Sequence, residues 1–381
     1  MYDYVIVGAG FSGAVVANIL AEKHKKVLLI DKRSTIAGNM YDYVNNYGIL
    51  VHKYGPHILT INDDEVFSYL SKFTEWNYVD TKLETYIDGQ YVPLPVNLNT
   101  IKEMTGVKYK DIEKKILEFW TLGEQINILD MMKVDDQDIQ ELANNIYEKI
   151  FWGYNIKMWG TTPDKVDKNV LGRAPIKISY DNKKNYCKYE VVPRNGYTEM
   201  FSQMLENNYI YVRLNTDARS VISIKDNKIL FEGKEFKGNL IYTGPIDELF
   251  DFKYGHLPYR ALYFKVENKQ CDFYYNSFAV TFPMNYKKTR TSEMKRITLQ
   301  EIKGQTTLVS EYPGEYNKDS KMFCNPSYPI DNDDSKKMLE LYKKECKLYS
   351  NLHVVGRLGE FKYYNMEETI ISAINLSNKL L

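Results

Sequence analysis

Three glycines and an aspartate near the start of the chain form the pattern with the most definite chemistry. Gly8-Ala9-Gly10-Phe11-Ser12-Gly13 has the spacing that lets a chain turn tightly, brings its backbone close to a pyrophosphate and packs a helix on the preceding strand. The first N–H groups of such a helix have no partner of their own and carry its positive dipole end, so phosphate oxygens are drawn to them. Asp31 follows at close to the ~20-residue spacing at which a carboxylate accepts from a ribose hydroxyl. Lys32-Arg33 and then Gly38-Asn39 come directly after it. A ribose-binding acid with a basic pair and a further glycine suits FAD better than NAD, because extended FAD needs a second close backbone approach. FAD is the expected cofactor, with Gly8, Gly10, Phe11, Ser12, Gly13, Asp31, Lys32, Gly38 and Asn39 among its contacts.

These residues require a strand, a turn, a helix and a second strand in that order. Tyr2 to Val7 is rich in β-branched and aromatic residues, Ala14 to Glu22 has helical apolar spacing, and Lys26 to Ile30 reads as the next strand. His52 runs into a Gly55-Pro56-His57 turn, and Glu65 to Trp76 reads as a helix capped by the preceding aspartates. A hairpin over Lys82 to Pro93 turns at Asp88-Gly89, and Asn99 to Gly160 is helical in pattern. Later segments return to the nucleotide domain: Ile210 to Leu214, and Leu240 to Pro245 with a turn at Gly244. Leu352 to Gly356 then precedes a closing helix from Met366. Asn365 followed by Glu368 has capping character, so Asn365 and Met366 are expected where that helix turns its positive end toward the cofactor. The fold class is α/β, with an FAD-binding Rossmann-like domain built from discontinuous segments, a helical subdomain and an antiparallel β-sheet subdomain. The expected boundaries are 1–80 plus 205–250 plus 335–381 for the first, 95–165 for the second, and 82–94 plus 170–204 plus 255–330 for a substrate domain.

The 381 residues carry 50 basic and 50 acidic side chains, so no net field favours nucleic acid or a membrane surface. Cys187, Cys271, Cys324 and Cys346 are widely spaced, which suggests neither a metal site nor a redox pair. The first strand begins at residue 2 and no stretch has the length of a membrane span. A cytoplasmic enzyme without membrane insertion is expected.

Further along, the residues resemble those of the bacterial UDP-galactopyranose mutases. The resemblance is carried by the first glycine motif, Gly38-Asn39, His52 to Ile58, Gly153-Tyr154 with Trp159-Gly160, Gly196-Tyr197-Thr198, Ile241 to Asp247, Glu311-Tyr312-Pro313, and Gly356-Arg357-Leu358 through Tyr363-Tyr364. It implies isomerisation of a nucleotide-linked sugar between pyranose and furanose forms without net redox change. Reduced FAD would use N5 as nucleophile on the anomeric carbon while the nucleoside diphosphate departs. Arg173 and Arg290 would hold the diphosphate, since a guanidinium binds phosphate oxygens through two parallel bonds and keeps its charge. Tyr312 and Tyr363 would lie at the diphosphate, Tyr154 on the base and Trp159 near the sugar-nucleotide cleft. His57, Gly55 and Arg357 would lie at the flavin. An external reductant for FAD is implied, and a homodimer is possible within the family.

The chain departs from the family pattern near the substrate. Thr60 replaces a histidine beside sugar and flavin, Asn365 an aspartate, and Lys184 takes a tyrosine position unless a local shift brings Tyr186 there. Glu103 and Asn155 replace a glutamine and a threonine at the base. An ionised glutamate only accepts, which matches adjacent N–H donors on guanine and points to a GDP-linked sugar; a dTDP-linked sugar is a further alternative to a UDP-linked one. An FAD-dependent oxidoreductase and a non-catalytic nucleotide-sugar binder are the competing classes.

Overall fold

A computed structural model describes residues 2–160, 175–183, 187–225 and 227–381. Five strands form a parallel sheet in the order Ile210–Arg213, Val27–Ile30, Tyr4–Val7, Asn239–Tyr242, Leu352–Val354. Val27-Leu28-Leu29-Ile30 is buried throughout, as a parallel strand covered on both faces must be. One face carries helix Phe11–Glu22, against which Tyr197–Leu205 and the closing helix Met366–Leu380 pack through Phe201, Ile370 and Ala373. The other face packs on Phe250, Tyr342 and Tyr349. The central strands thus come from the whole length of the chain, as the discontinuous pattern suggests.

A seven-stranded sheet stands beside it, in the order Pro326–Pro329, Tyr259–Lys269, Thr306–Glu315, Arg290–Glu293, Ala279–Thr281, Leu83–Ile87, Gln90–Leu94. Its pairs are antiparallel except where Ala279–Thr281 runs parallel to Leu83–Ile87, the seam between two distant parts of the chain. The helical segment runs from Leu98–Thr105 to Gly153–Trp159 around its own apolar core. Its first helix is closed by a capping box in which Asn97 and Thr100 exchange bonds.

Two expectations from sequence need correction. Strand Tyr189–Pro193, grouped with the substrate sheet at 170–204, instead pairs with Leu59–Ile61 and Trp76–Tyr78, and the helix after it joins the nucleotide-domain core. The helix expected to reach Trp76 ends at Leu70. Trp76 is drawn into pairing with Pro193, and its indole N–H donates to Ser71 Oγ at 2.8 Å, so tertiary pairing overrides the local pattern.

Candidate active site

The first glycine turn folds as its spacing requires. Gly8 has φ +104°, and a Cβ there would lie 2.0 Å from Thr243 Oγ1 on the neighbouring strand's turn. A Cβ on Gly38 would come 2.8 Å from Gly10 Cα, so the two backbones make a narrow floor. Asp31 is buried at the end of its strand; its Oδ2 accepts from the Ala9 N–H and its Oδ1 from the Arg33 N–H, each at 2.8 Å. Each oxygen keeps a lone pair for a ribose hydroxyl. Arg33 donates through Nη2 to Asn39 and Asn325 and lies 4.5 Å over the Tyr54 ring, while its Nη1 is buried without a partner.

A single cleft runs from these residues past Gly244 to His57, Arg357 and Met366, and Phe11, Ser12, Lys32, Gly38 and Asn39 also line it. Three expected contacts do other work. A Cβ on Gly13 would meet the Gly8 carbonyl oxygen at 1.8 Å, so this glycine packs helix on turn. Gly55, at φ +92°, lets the chain pass the Phe264 ring. Asn365 caps the closing helix, accepting from the Glu368 N–H at 2.8 Å while Glu368 accepts from its own N–H at 2.7 Å.

His57 lines the same cleft. Its backbone N–H donates to His52 Nδ1, its carbonyl accepts from the Tyr197 hydroxyl, and its own Nδ1 is buried without a partner. Burial holds its imidazolium form well below the usual range, and His52, Arg357 and Arg290 add repulsion. Burial also lowers His52, to about 4, against the pull of Asp42. Both rings are neutral in the folded chain while ordinary histidines of the unfolded chain take up protons near pH 6.5. The unfolded state therefore binds more protons below that point, and stability should fall from about pH 6.5 toward about pH 4, by about 1.4 kcal/mol per pH unit for each histidine. Thermal melts across that window should show this slope, and His52→Gln should flatten it. Identical pH dependence in the variant would contradict a neutral His52.

Arg290 comes from the start of strand Arg290–Glu293 and pairs with Glu311 on the adjacent strand, Nε at 2.8 Å and Nη2 at 2.7 Å from the same carboxylate oxygen. Burial works against its charge, but Glu311 together with Tyr154 and Tyr328 more than offsets this and the arginine stays charged. Glu311 is almost fully buried; the sequence names it only within the Glu311-Tyr312-Pro313 motif, and its role comes from pairing with Arg290 on the adjacent strand. Tyr154 lies close enough for its hydroxyl to feel both partners, and burial pushes that hydroxyl up to about 12. Tyr363 and Trp159 meet with ring centres 5.8 Å apart, and Tyr328, missed from sequence, stacks on Tyr363 at 5.4 Å. The Arg357 guanidinium lies over both tyrosines, turned by bonds to the Tyr364 carbonyl.

Other expected substrate contacts have local partners of their own or face solvent. Tyr312 is paired with Tyr263 on the sheet. Thr60 pairs in register with Glu190. The Asn155 side chain donates to its own helix at the Phe151 carbonyl, and Glu103 is exposed on helix Leu98–Thr105. Arg173, Lys184 and Tyr186 lie outside the described residues. Among the described residues, no group of histidine, cysteine, aspartate or glutamate could hold a metal ion, and no helix is long and apolar enough to cross a membrane.

Known proteins match this chain over its full length. The family profile of UDP-galactopyranose mutase matches residues 149–363, and that of the NAD(P)-binding Rossmann-like domain matches residues 6–73. The UDP-galactopyranose mutase of Mycoplasma genitalium is 33% identical, over 100% of this chain and 95% of its own. The dTDP-fucopyranose mutase of Escherichia coli is 30% identical, over 98% and 97%. The crystal structure of a reduced UDP-galactopyranose mutase superposes with a TM-score of 0.74 at 16% identity, covering 100% of this chain and 94% of that one, which supports the fold. With the family profile matching more than half of the chain and a relative 33% identical over all of it, this protein belongs to the UDP-galactopyranose mutase family.

Proposed function

We propose that this chain interconverts the pyranose and furanose forms of a sugar linked to a pyrimidine nucleoside diphosphate, using reduced FAD. The observation that carries the reading is a neutral His57 lining the dinucleotide cleft with Arg357, with Arg290 near enough for its charge to act on the same ring. FAD fits the donors available: the glycine floor for its pyrophosphate, Asp31 for a ribose, and the orphaned Nη1 of Arg33 for a phosphate oxygen. When bound and reduced, the flavin supplies an electron-rich ring nitrogen for the anomeric carbon.

The rest of the reaction falls to side chains. Arg290, kept charged and aimed by Glu311, binds the diphosphate as it takes the electrons of the breaking glycosidic bond and holds it until its oxygen returns that pair to the anomeric carbon. Arg173 would add a second cation. Tyr154, Trp159 and Tyr363 offer flat faces near Arg290, and the neutral His57 lines the cleft without adding charge. The closing helix places Met366 and Thr369 on the cleft, and its positive end would favour negative charge on a ring held there by about 1 kcal/mol. The exposed Glu103 gives no reason to expect guanine. The related proteins are named for UDP and dTDP sugars, which supports a pyrimidine base.

The test is to incubate oxidised and dithionite-reduced protein with UDP-, dTDP- and GDP-linked sugars and to separate the products by chromatography. Ring-isomerised product is expected from the reduced protein alone, with the flavin spectrum unchanged at the end. Stoichiometric sugar oxidation by the oxidised protein would identify an oxidoreductase instead.

A further inference from the structure

The helix that brings Tyr154 and Trp159 into the site, Gly153–Trp159, meets the loop preceding Arg290 at two points one turn apart. A Cβ on Gly153 would lie 2.2 Å from the Pro283 carbonyl oxygen, so helix backbone and loop backbone are in contact there. One turn on, Lys157 reaches into the mouth of the hairpin between strands Ala279–Thr281 and Arg290–Glu293. Its ammonium donates to the carbonyls of Phe282, of Tyr286 at 3.1 Å and of Lys288 at 3.2 Å. An ammonium has three N–H groups, and all three are used. The hairpin is closed on the strand side by the Phe282 N–H donating to the Thr289 carbonyl, and the next residue is Arg290. At the other end of the helix, Arg260 donates to the carbonyls of Lys157 and Met158.

Resting on the reading of Arg290 as the diphosphate ligand, we propose that Lys157 is a positioning residue: its ammonium ties the base-side helix to the hairpin and so sets the spacing between Tyr154 and Arg290. It touches no reacting atom; it acts through the loop.

The attachment depends on charge. A neutral amine keeps two N–H groups and turns a lone pair on the third carbonyl oxygen, which opens the nest. Burial lowers the Lys157 ammonium to about 8, so the attachment should weaken as pH rises through that value. The other titratable or charged groups facing it are Tyr154 on its own helix, Tyr286, Lys287 and Lys288 on the hairpin, Tyr312 on strand Thr306–Glu315, and Arg260 on strand Tyr259–Lys269. Lys288, lowered by burial as well, donates to Thr291 Oγ1. All of these are shared with a Lys157→Arg variant, which differs in keeping a permanent charge at the nest.

The experiment is calorimetric titration of the flavin-loaded protein with UDP, dTDP and GDP, taking the tightest of the three, between about pH 7 and about pH 9. Wild-type affinity should weaken about tenfold across this range, Lys157→Arg should stay within about threefold, and Lys157→Met should start about tenfold weak and change little, as expected for coupling through a loop. Ionisation of the base is common to all three proteins and cancels. Equal pH profiles for wild type and Lys157→Arg, or a normally folded Lys157→Met with wild-type affinity, would overturn the proposal. The wild-type and arginine profiles decide it even if the methionine variant fails to fold. Absence of any nucleoside diphosphate binding by the wild type would count against the functional reading itself.

Discussion

Replacing Arg290 with methionine should abolish turnover and destabilise the protein together, and a second substitution should separate the two effects. The guanidinium is the partner of a Glu311 carboxylate that is only 2% exposed, so its removal leaves a buried charge uncompensated. Breaking such a pair costs about 3–5 kcal/mol. Loss of a fixed group that stabilises charge developing on the departing diphosphate costs about 10²–10³ in kcat. Arg290→Met combined with Glu311→Leu removes both charges and should recover most of the stability and none of the activity. Arg290→Lys keeps the charge without the planar fork and should fall between. Melting temperature and turnover measured on all three variants check this, and a single Arg290→Met variant with activity within a few-fold of wild type would move the diphosphate site elsewhere.

The second large effect is expected at two neighbouring glycines that look alike in the sequence. At Gly10 the backbone has φ −84° and ψ −171°, which alanine adopts freely, and a Cβ would meet nothing closer than Gly38 Cα at 3.8 Å. Gly10→Ala should therefore fold with unchanged or slightly higher stability, by about 0.4–1 kcal/mol, because the unfolded chain loses freedom. Its methyl group occupies the approach to the helix N–H groups. Losing one hydrogen bond to a charged pyrophosphate costs about 1.5–3 kcal/mol, roughly ten- to hundredfold in FAD affinity. At Gly13 the Cβ would sit 1.8 Å from a backbone oxygen that cannot rotate away, so Gly13→Ala should lose stability by about 1–3 kcal/mol or more and purify with little flavin. Flavin absorbance per chain and melts of the cofactor-free proteins distinguish the two. Equal loss of stability in both would mean that the turn is packed differently.

What could be read from the sequence was mostly what is decided locally. The glycine turn, its two strands and the acid at Asp31 follow from steric rules that act within one βαβ unit, and the capping box at Asn365 and Glu368 is equally local. Where partners are remote the reading failed. Nothing near Tyr189–Pro193 indicates pairing with Leu59–Ile61 rather than with the large sheet. Glu311 gains its importance from Arg290 on the next strand, and Tyr328 from Trp159 and Tyr363 on two other elements. The base-side expectation for Glu103 rested on residue type, and only the direction of a helix face decides that it meets solvent.

The parallel sheet has its centre at Tyr4–Val7 and its last edge at Leu352–Val354, with the closing helix laid over the first one. During synthesis the glycine turn is made long before the strand and helix that complete its surroundings. A nascent chain therefore holds an open half-site until those later elements emerge. Cofactor capture should wait for them, and a chain halted before Leu352 should remain colourless however much flavin surrounds it.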